Sequence, residues 1–160
     1  MAERQQRFKR AFNSGRLRAE LLNPQSRQTL NKKYHADFAS DIRNVALARQ
    51  GIAGFAQACG FTDTDVADIR LAAGEALSNA VEHGGRPGDG SFSVACTFDG
   101  TELAIEIRDA GAGFPVPREL TAVEPDHRGR GFGIFLMRRL MDEVSFSRNG
   151  TVVRLIRVRR

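Results

Sequence analysis

The chain has 160 residues, the size of one ordinary domain, and its 41% hydrophobic content with no apolar run long enough for a bilayer excludes a membrane-spanning protein. Its net charge of +5 sits in the first thirty residues, where seven basic side chains (Arg4, Arg7, Lys9, Arg10, Arg16, Arg18, Arg27) face two acids, Glu3 and Glu20; residues 31–160 carry seventeen of each sign, so a basic nucleic-acid face on the folded part is not indicated. The N-terminus lacks the apolar segment and cleavage site of a secretory signal, and Cys59 and Cys96 have no metal-type spacing, so the expectation is a reduced, cytoplasmic protein with two buried thiols.

Residues 1–30 are rich in Arg, Gln, Asn and Ser, and read as a basic, flexible or transiently helical extension ahead of a domain over 31–160. A solvated tail is the simpler reading; a basic arm for an acidic partner or a nucleic acid is the alternative. Alternation of Tyr34, Ala36 and Phe38 with polar residues predicts a strand over Lys33–Phe38. Ser40 is then expected to cap a helix that keeps its apolar period through Ile42, Val45, Ala46, Ile52, Phe55, Ala56 and Cys59, and stops at Gly60. Thr62 followed by Asp65 resembles a capping box and opens a second helix ending at His83-Gly84-Gly85.

Arg86–Gly90 is a loop by composition. A hairpin follows: Phe92, Val94, Cys96 and Phe98 alternate, Asp99-Gly100 turns, and Leu103, Ile105 and Ile107 alternate again. A stretch with Pro115, Pro117 and Pro125 has no clear period, and loops of that length are more often functional than simple connectors. Gly129–Gly133 opens a helix with Ile134, Met137, Leu140 and Met141 on one face, and Val144–Ser147, Asn149-Gly150 and Thr151–Val158 form a second hairpin. The order implies an α+β two-layer sandwich, a sheet covered on one face by helices.

Three segments carry groups with a chemical use. In LAAGEALSNAVEHG (71–84), Glu75 stands one turn before Asn79, on one helix face and off the stripe of Val66, Ile69, Ala73, Ala76, Leu77, Ala80 and Val81. Asn is a mediocre mid-helix residue, and its oxygen suits a hard cation such as Mg²⁺. Glu75 can polarise a hydroxyl or water for in-line attack, although the pair alone is also what a solvated helix face shows.

In DAGAGF (109–114), paired glycines at a strand end let the backbone approach a flat ligand, and Asp109 can accept from the exocyclic amine of a base; an ordinary glycine-rich turn is the plain alternative. In GRGFG (129–133), exposed N–H groups at a helix start attract phosphate, without the Lys of a Walker A sequence and outside a dinucleotide-binding βαβ unit. Arg128 and Arg130 flank it and can pair with a terminal phosphate, and the sequence does not choose between them.

In this order the segments resemble the GHKL (histidine kinase-like) ATPase superfamily over residues 31–160: EALSNAVEHG its N box, DAGAGF its first glycine box, GRGFGIFLM its second. Within it the chain is most similar to the small anti-sigma factor serine kinases of the RsbW and SpoIIAB type, by the two-helix lead-in, the short lid, and GIFLMRRLMDEV followed by GTVVRL. The resemblance implies a mixed, mostly antiparallel sheet under about three helices, ATP and Mg²⁺ as cofactors, and Glu75 as general base toward a protein serine or threonine hydroxyl. It implies Asn79 as the Mg²⁺ ligand and Asp109 as the adenine reader, with Gly111, Gly113 and Thr151 shaping that pocket and His83 closing the N box. Gly129, Gly131 and Gly133, with Phe132 among them, would wrap the phosphates, Arg128 or Arg130 would meet the γ-phosphate, and the lid would lie at about Pro115–Arg130. Phe132 stands where the family usually has a smaller aliphatic residue, and the basic extension is longer than in compact members.

The expected function is an ATP-dependent protein serine/threonine kinase acting as an anti-sigma factor. It would bind a sigma factor and phosphorylate a STAS-type antagonist, as a homodimer joined through the first strand and helix, with no direct nucleic-acid contact. The alternative is an ATP-binding module that sequesters a partner without phosphotransfer.

Overall fold

The computed structural model describes residues 31–84, 90–113 and 132–160. The basic extension, the start of the loop after the second helix, the lid, and Arg128, Gly129, Arg130 and Gly131 lie outside the described residues. The described elements are β1 (Lys32–Ala39), α1 (Ile42–Ala58), α2 (Asp63–His83), β2 (Ser91–Phe98), β3 (Glu102–Asp109), α3 (Phe132–Leu140), β4 (Glu143–Ser147) and β5 (Val152–Val158). No described helix is long and apolar enough to cross a membrane.

The sheet runs β1-β2-β3-β5-β4, so β3 is its centre. Every described pairing is antiparallel, in keeping with the mostly antiparallel sheet expected above. The reason lies in the last hairpin: it docks on β3 through its second strand, β5, and so places β4 at the edge. Strand alternation sends Phe92, Val94, Cys96 and Phe98 of β2, Leu103, Ile105 and Ile107 of β3, and Val153 and Leu155 of β5 into one core beneath the helices. Both cysteines are buried and unpaired, and burial pushes the Cys96 thiol up to about 12.

The first two helices form where the sequence periods place them, with one different cap, and the third ends at Leu140, short of the expected Met141. Asp41, not Ser40, caps α1: its extended backbone lets the carboxylate accept the Arg43 N–H at 2.8 Å. Ser40 is instead buried in the strand-to-helix corner, where its N–H donates to the Gly90 carbonyl at 2.8 Å. Thr62 caps α2 as the sequence predicts, accepting the Asp65 N–H at 3.1 Å and donating its hydroxyl to the Asp65 carboxylate at 2.7 Å. The buried face of α2 is wider than the expected stripe, because Ala72 and Gly74 are buried too, Gly74 beneath the stem of Arg49 on α1.

Two arginines of the last strand and its tail bind the layers together. Arg157 donates to Asp65 at 2.6 Å, to Asp68 at 3.2 Å and to the Leu140 carbonyl at 2.6 Å, reaching both α2 and α3 from β5. Arg159 donates to the Cys59 carbonyl at the end of α1 and to the Gly100 carbonyl in the β2–β3 turn, and lies over the Phe98 ring.

The Arg157 guanidinium, with help from the Thr62 hydroxyl, holds the Asp65 carboxyl below the usual carboxylate range. A depressed carboxyl adds stability that is full above its unfolded value, about 4, and is lost as the pH falls through the folded value. Urea unfolding should therefore show a midpoint that declines below about pH 4, and Asp65→Asn should flatten part of that decline while lowering the midpoint at pH 7.

Candidate functional site

The first part of the site is built at the end of the central strand. Asp109 is the last residue of β3, and pairs with Phe92 on one side; on the other its N–H donates to the Thr151 carbonyl at 3.0 Å. Its Oδ1 accepts the Gly111 N–H at 2.8 Å, which folds the following turn back on itself. Among the described residues no hydrogen bond engages its Oδ2, so one carboxylate oxygen is held and the other is available.

Backbones converge here more closely than side chains would allow. A Cβ on Gly111 would overlap the His83 carbonyl oxygen and lie 2.8 Å from the Gly84 Cα. A Cβ on Gly113, whose φ is +77, would overlap the Asn149 carbonyl oxygen and lie 3.1 Å from the Thr151 Cγ2. The glycines thus join three ends: that of α2 at His83-Gly84, that of β3 at Asp109, and the turn before β5. Thr151 is half-buried, and its hydroxyl donates to the Arg148 carbonyl at 2.9 Å. That turn spans Arg148–Gly150, with Arg148, Asn149 and Gly150 all at positive φ, so it is one residue longer than the expected Asn149-Gly150.

Burial raises the Asp109 carboxyl above the usual carboxylate range, against the opposing pull of the Gly111 N–H and the His83 imidazole. The charged form is under-solvated and gains from any donor that arrives. A base with an exocyclic amine is such a donor.

The second part lies two turns back along α2. Glu75 and Asn79 are half-buried, one turn apart, and neither makes a hydrogen bond or ion pair among the described residues. Gly133, in the first turn of α3, faces Glu75: a Cβ there would stand 2.8 Å from Oε2. The glycine lets the carboxylate reach the helix start whose free N–H groups favour phosphate. Phe132 lies differently, half-exposed at the same helix start with its ring 6.3 Å from that of Phe135.

No group of three His, Cys, Asp or Glu side chains among the described residues could hold a metal ion. Mg²⁺ carried in with phosphates would not require such a group, because it binds with few protein ligands and keeps phosphate oxygens and waters. Asn79 would supply the protein oxygen.

The structure therefore brings His83, Asp109, Gly111, Gly113 and Thr151 together, and separately Glu75, Asn79 and Gly133, with the last turns of α2 common to both. Arg128, Gly129, Arg130 and Gly131 lie outside the described residues. Sequence reasoning missed Gly84, read only as a helix stop: a Cβ there would sit 3.2 Å from the Asp109 Cβ. It also missed Arg157, whose three acceptors are distant in sequence. Gly84 had a signal, a glycine pair where one would end the helix; Arg157 had none.

Residues 38–157 match the histidine kinase-like ATPase domain family. The chain is 31% identical over 128 residues to the anti-sigma F factor of Thermoanaerobacter sp. (strain X514), covering 74% of this chain and 88% of that protein. It is 32% identical over 110 residues to the serine-protein kinase RsbW of Bacillus licheniformis, covering 62% of this chain and 68% of the relative. Among solved structures it resembles the RsbU and RsbW domains of a Mycobacterium tuberculosis protein, with a TM-score of 0.57 and 20% identity over 81% of this chain. It spans 32% of that longer chain, and a likeness at this identity concerns the fold.

Two substitutions test the geometry. Asp109→Asn keeps the shape and removes an under-solvated charge, so it should raise the melting temperature of the ligand-free protein by about 1–3 °C and erase the further rise caused by Mg-ATP. Gly133→Ala should change stability by less than about 1 kcal/mol, since the gain in helix propensity offsets the crowding, while displacing the Glu75 carboxylate. Melting curves with and without Mg-ATP check the first; a crystal structure of the second should show Glu75 in a new rotamer.

Proposed function

The chain belongs to the histidine kinase-like ATPase domain family, in the branch of the anti-sigma F factors and RsbW kinases, and we propose that it is an ATP-dependent protein serine/threonine kinase that also acts as an anti-sigma factor. It would bind a sigma factor and phosphorylate a STAS-type antagonist, so that phosphorylation state decides which partner is held. The observation that carries this reading is the Glu75–Asn79–Gly133 junction. Two half-buried polar side chains that make no hydrogen bond or ion pair among the described residues lie one turn apart on α2, and Glu75 meets the first turn of α3 at Gly133.

The chemistry follows from that placement. Glu75 accepts the proton of a serine or threonine hydroxyl as its oxygen attacks the γ-phosphorus; the bond to the bridging oxygen breaks and ADP leaves with its electron pair. Asn79 would hold Mg²⁺, which would supply positive charge to neutralise the phosphates. Asp109 accepts from the adenine amine through its available oxygen, and Gly111, Gly113, Thr151 and His83 shape that end. Gly129, Gly131, Phe132 and Gly133 line the phosphates, and Arg128 or Arg130 meets the γ-phosphate.

A homodimer through β1 and α1 fits the surface those elements leave. β1 is an eight-residue edge strand, and Ile42 and Leu47 of α1 are among the few large apolar side chains left exposed. The extension over 1–30 would contribute a further partner contact.

The test is transfer of label from γ-labelled ATP, with Mg²⁺, to extract of the host. The unmodified chain should label one small acceptor, and Glu75→Ala should do so about 10²- to 10⁴-fold more slowly, the usual range for a general base. Mg-ATP binding without any labelled acceptor would favour a nucleotide-gated sequestering module.

A further inference from the structure

We propose that Arg157 is a positioning residue for phosphoryl transfer: it fixes the axial position of α3 against α2 and so sets where the phosphate-facing helix start stands relative to Glu75. The inference rests on the kinase reading above.

One guanidinium, with its side chain only 15% exposed, is shared between the two helices. On α2, Nε and Nη2 donate to Asp65 Oδ1 at 3.1 and 2.6 Å, and Nη2 also donates to Asp68 Oδ2 at 3.2 Å. On α3, Nη1 donates to the Leu140 carbonyl at 2.6 Å, one of the carbonyls that a helix end leaves without an internal partner. The planar fork serves both helices at once, which the single ammonium of a lysine cannot reproduce.

The two helices run antiparallel. Glu75 lies ten residues beyond Asp65, about 15 Å along α2, and Gly133 seven residues before Leu140, about 10 Å along α3. The working contact between Glu75 and Gly133 is therefore at the opposite end of the helix pair from the clamp. The clamped end of α3 is further secured through Asp142, whose N–H donates to the Ile156 carbonyl at 2.9 Å and whose Oδ2 accepts the Val158 N–H at 2.8 Å. At the start of α3, the Gly133–Glu75 approach is the close contact.

That arrangement makes α3 a lever. Over its nine residues a tilt of about 5° at the clamped end moves the first turn by about 1 Å. A displacement of that size at reacting atoms can cost about 10²-fold in rate. Asp109 lies elsewhere: Thr151, which accepts its N–H, is six residues from Arg157, or about 20 Å along β5. Loss of the clamp should therefore reach the phosphates and leave the adenine end in place.

The test compares the unmodified chain with Arg157→Gln and Arg157→Lys, each assayed well below its own melting temperature. The two readouts are the rate of label transfer from γ-labelled ATP in host extract and the Kd for Mg-ADP by calorimetry. The expected result is a transfer rate about 10- to 100-fold lower in Arg157→Gln, partial recovery in Arg157→Lys, and a Kd for Mg-ADP within about threefold of the unmodified chain in both. Transfer within twofold of the unmodified chain in a folded Arg157→Gln overturns the proposal. Equal losses of transfer and Mg-ADP affinity also overturn it, because the clamp would then merely support the whole site. Should Arg157→Gln not fold, Arg157→Lys is judged by the same criteria. If the unmodified chain itself transfers no label, it is the kinase reading that fails, and the positioning role falls with it.

Discussion

How closely α2 can approach its neighbours decides most of this structure. The helix carries Ala72, Ala73, Gly74, Ala76 and Ala80 on its buried sides, and small residues on it or on its neighbours let three different elements come close. α1 comes in over Gly74, the end of β3 comes in at Gly84 through Gly111, and α3 comes in at Glu75 through Gly133. Alanine and glycine bury little apolar area, so they contribute little to stability themselves. Stability is left to Ile69 and Leu77 packing with Phe92, Ile105 and Leu155, all essentially inaccessible to solvent. The division of labour is physical: large residues hold the layers together, and small ones set the distances at which functional groups meet.

Electrostatics divides the molecule in a parallel way. Asp65 and Asp109 are the same residue type with opposite shifts. At Asp65 the Arg157 fork outweighs burial and the carboxyl is depressed. At Asp109 burial outweighs the Gly111 N–H and the His83 imidazole and the carboxyl is raised. The first carboxylate has found its partner within the chain, and the second waits for one from outside. Glu75 and Asn79 make no hydrogen bond or ion pair among the described residues. Sites whose polar groups are complete only with ligand are less stable empty than they need be, and that deficit returns as binding free energy.

Local patterns in the sequence carried the elements well and the assembly less well. The span of α2, its Thr62 cap and the β2–β3 hairpin about Asp99-Gly100 are each dictated by residues within a few positions of one another, and period and turn chemistry are enough. Ser40 and Asp41 are both good caps; the choice fell to Asp41 because Ser40 is drawn into the corner by Gly90, fifty residues away. The antiparallel docking of β5 on β3 joins residues about fifty positions apart and Arg157 reaches Asp65 from 92 positions away, and no local period encodes either. Likewise, residues 75 and 133 share no spacing rule. Their meeting was implied by family resemblance, and the coordinates supply its cause in the missing Cβ of Gly133.

The two halves of the site also differ in what holds them. The Asp109 end is fixed by sheet hydrogen bonds on both sides and by glycine contacts that admit no slack, so it is suited to recognition. The Glu75 end depends on the start of a nine-residue helix whose Met137 is in the core and whose last carbonyl is held by Arg157. Affinity built on the first and rate governed by the second would let the protein hold a nucleotide in one geometry while transfer responds to whatever acts on α3. A partner-switching kinase needs that separation, because it must keep ATP bound while it holds one partner and react only when it meets the other. On the proposed reading the separation would follow from placing recognition on a strand end and chemistry on a helix start, joined by one close-packed helix.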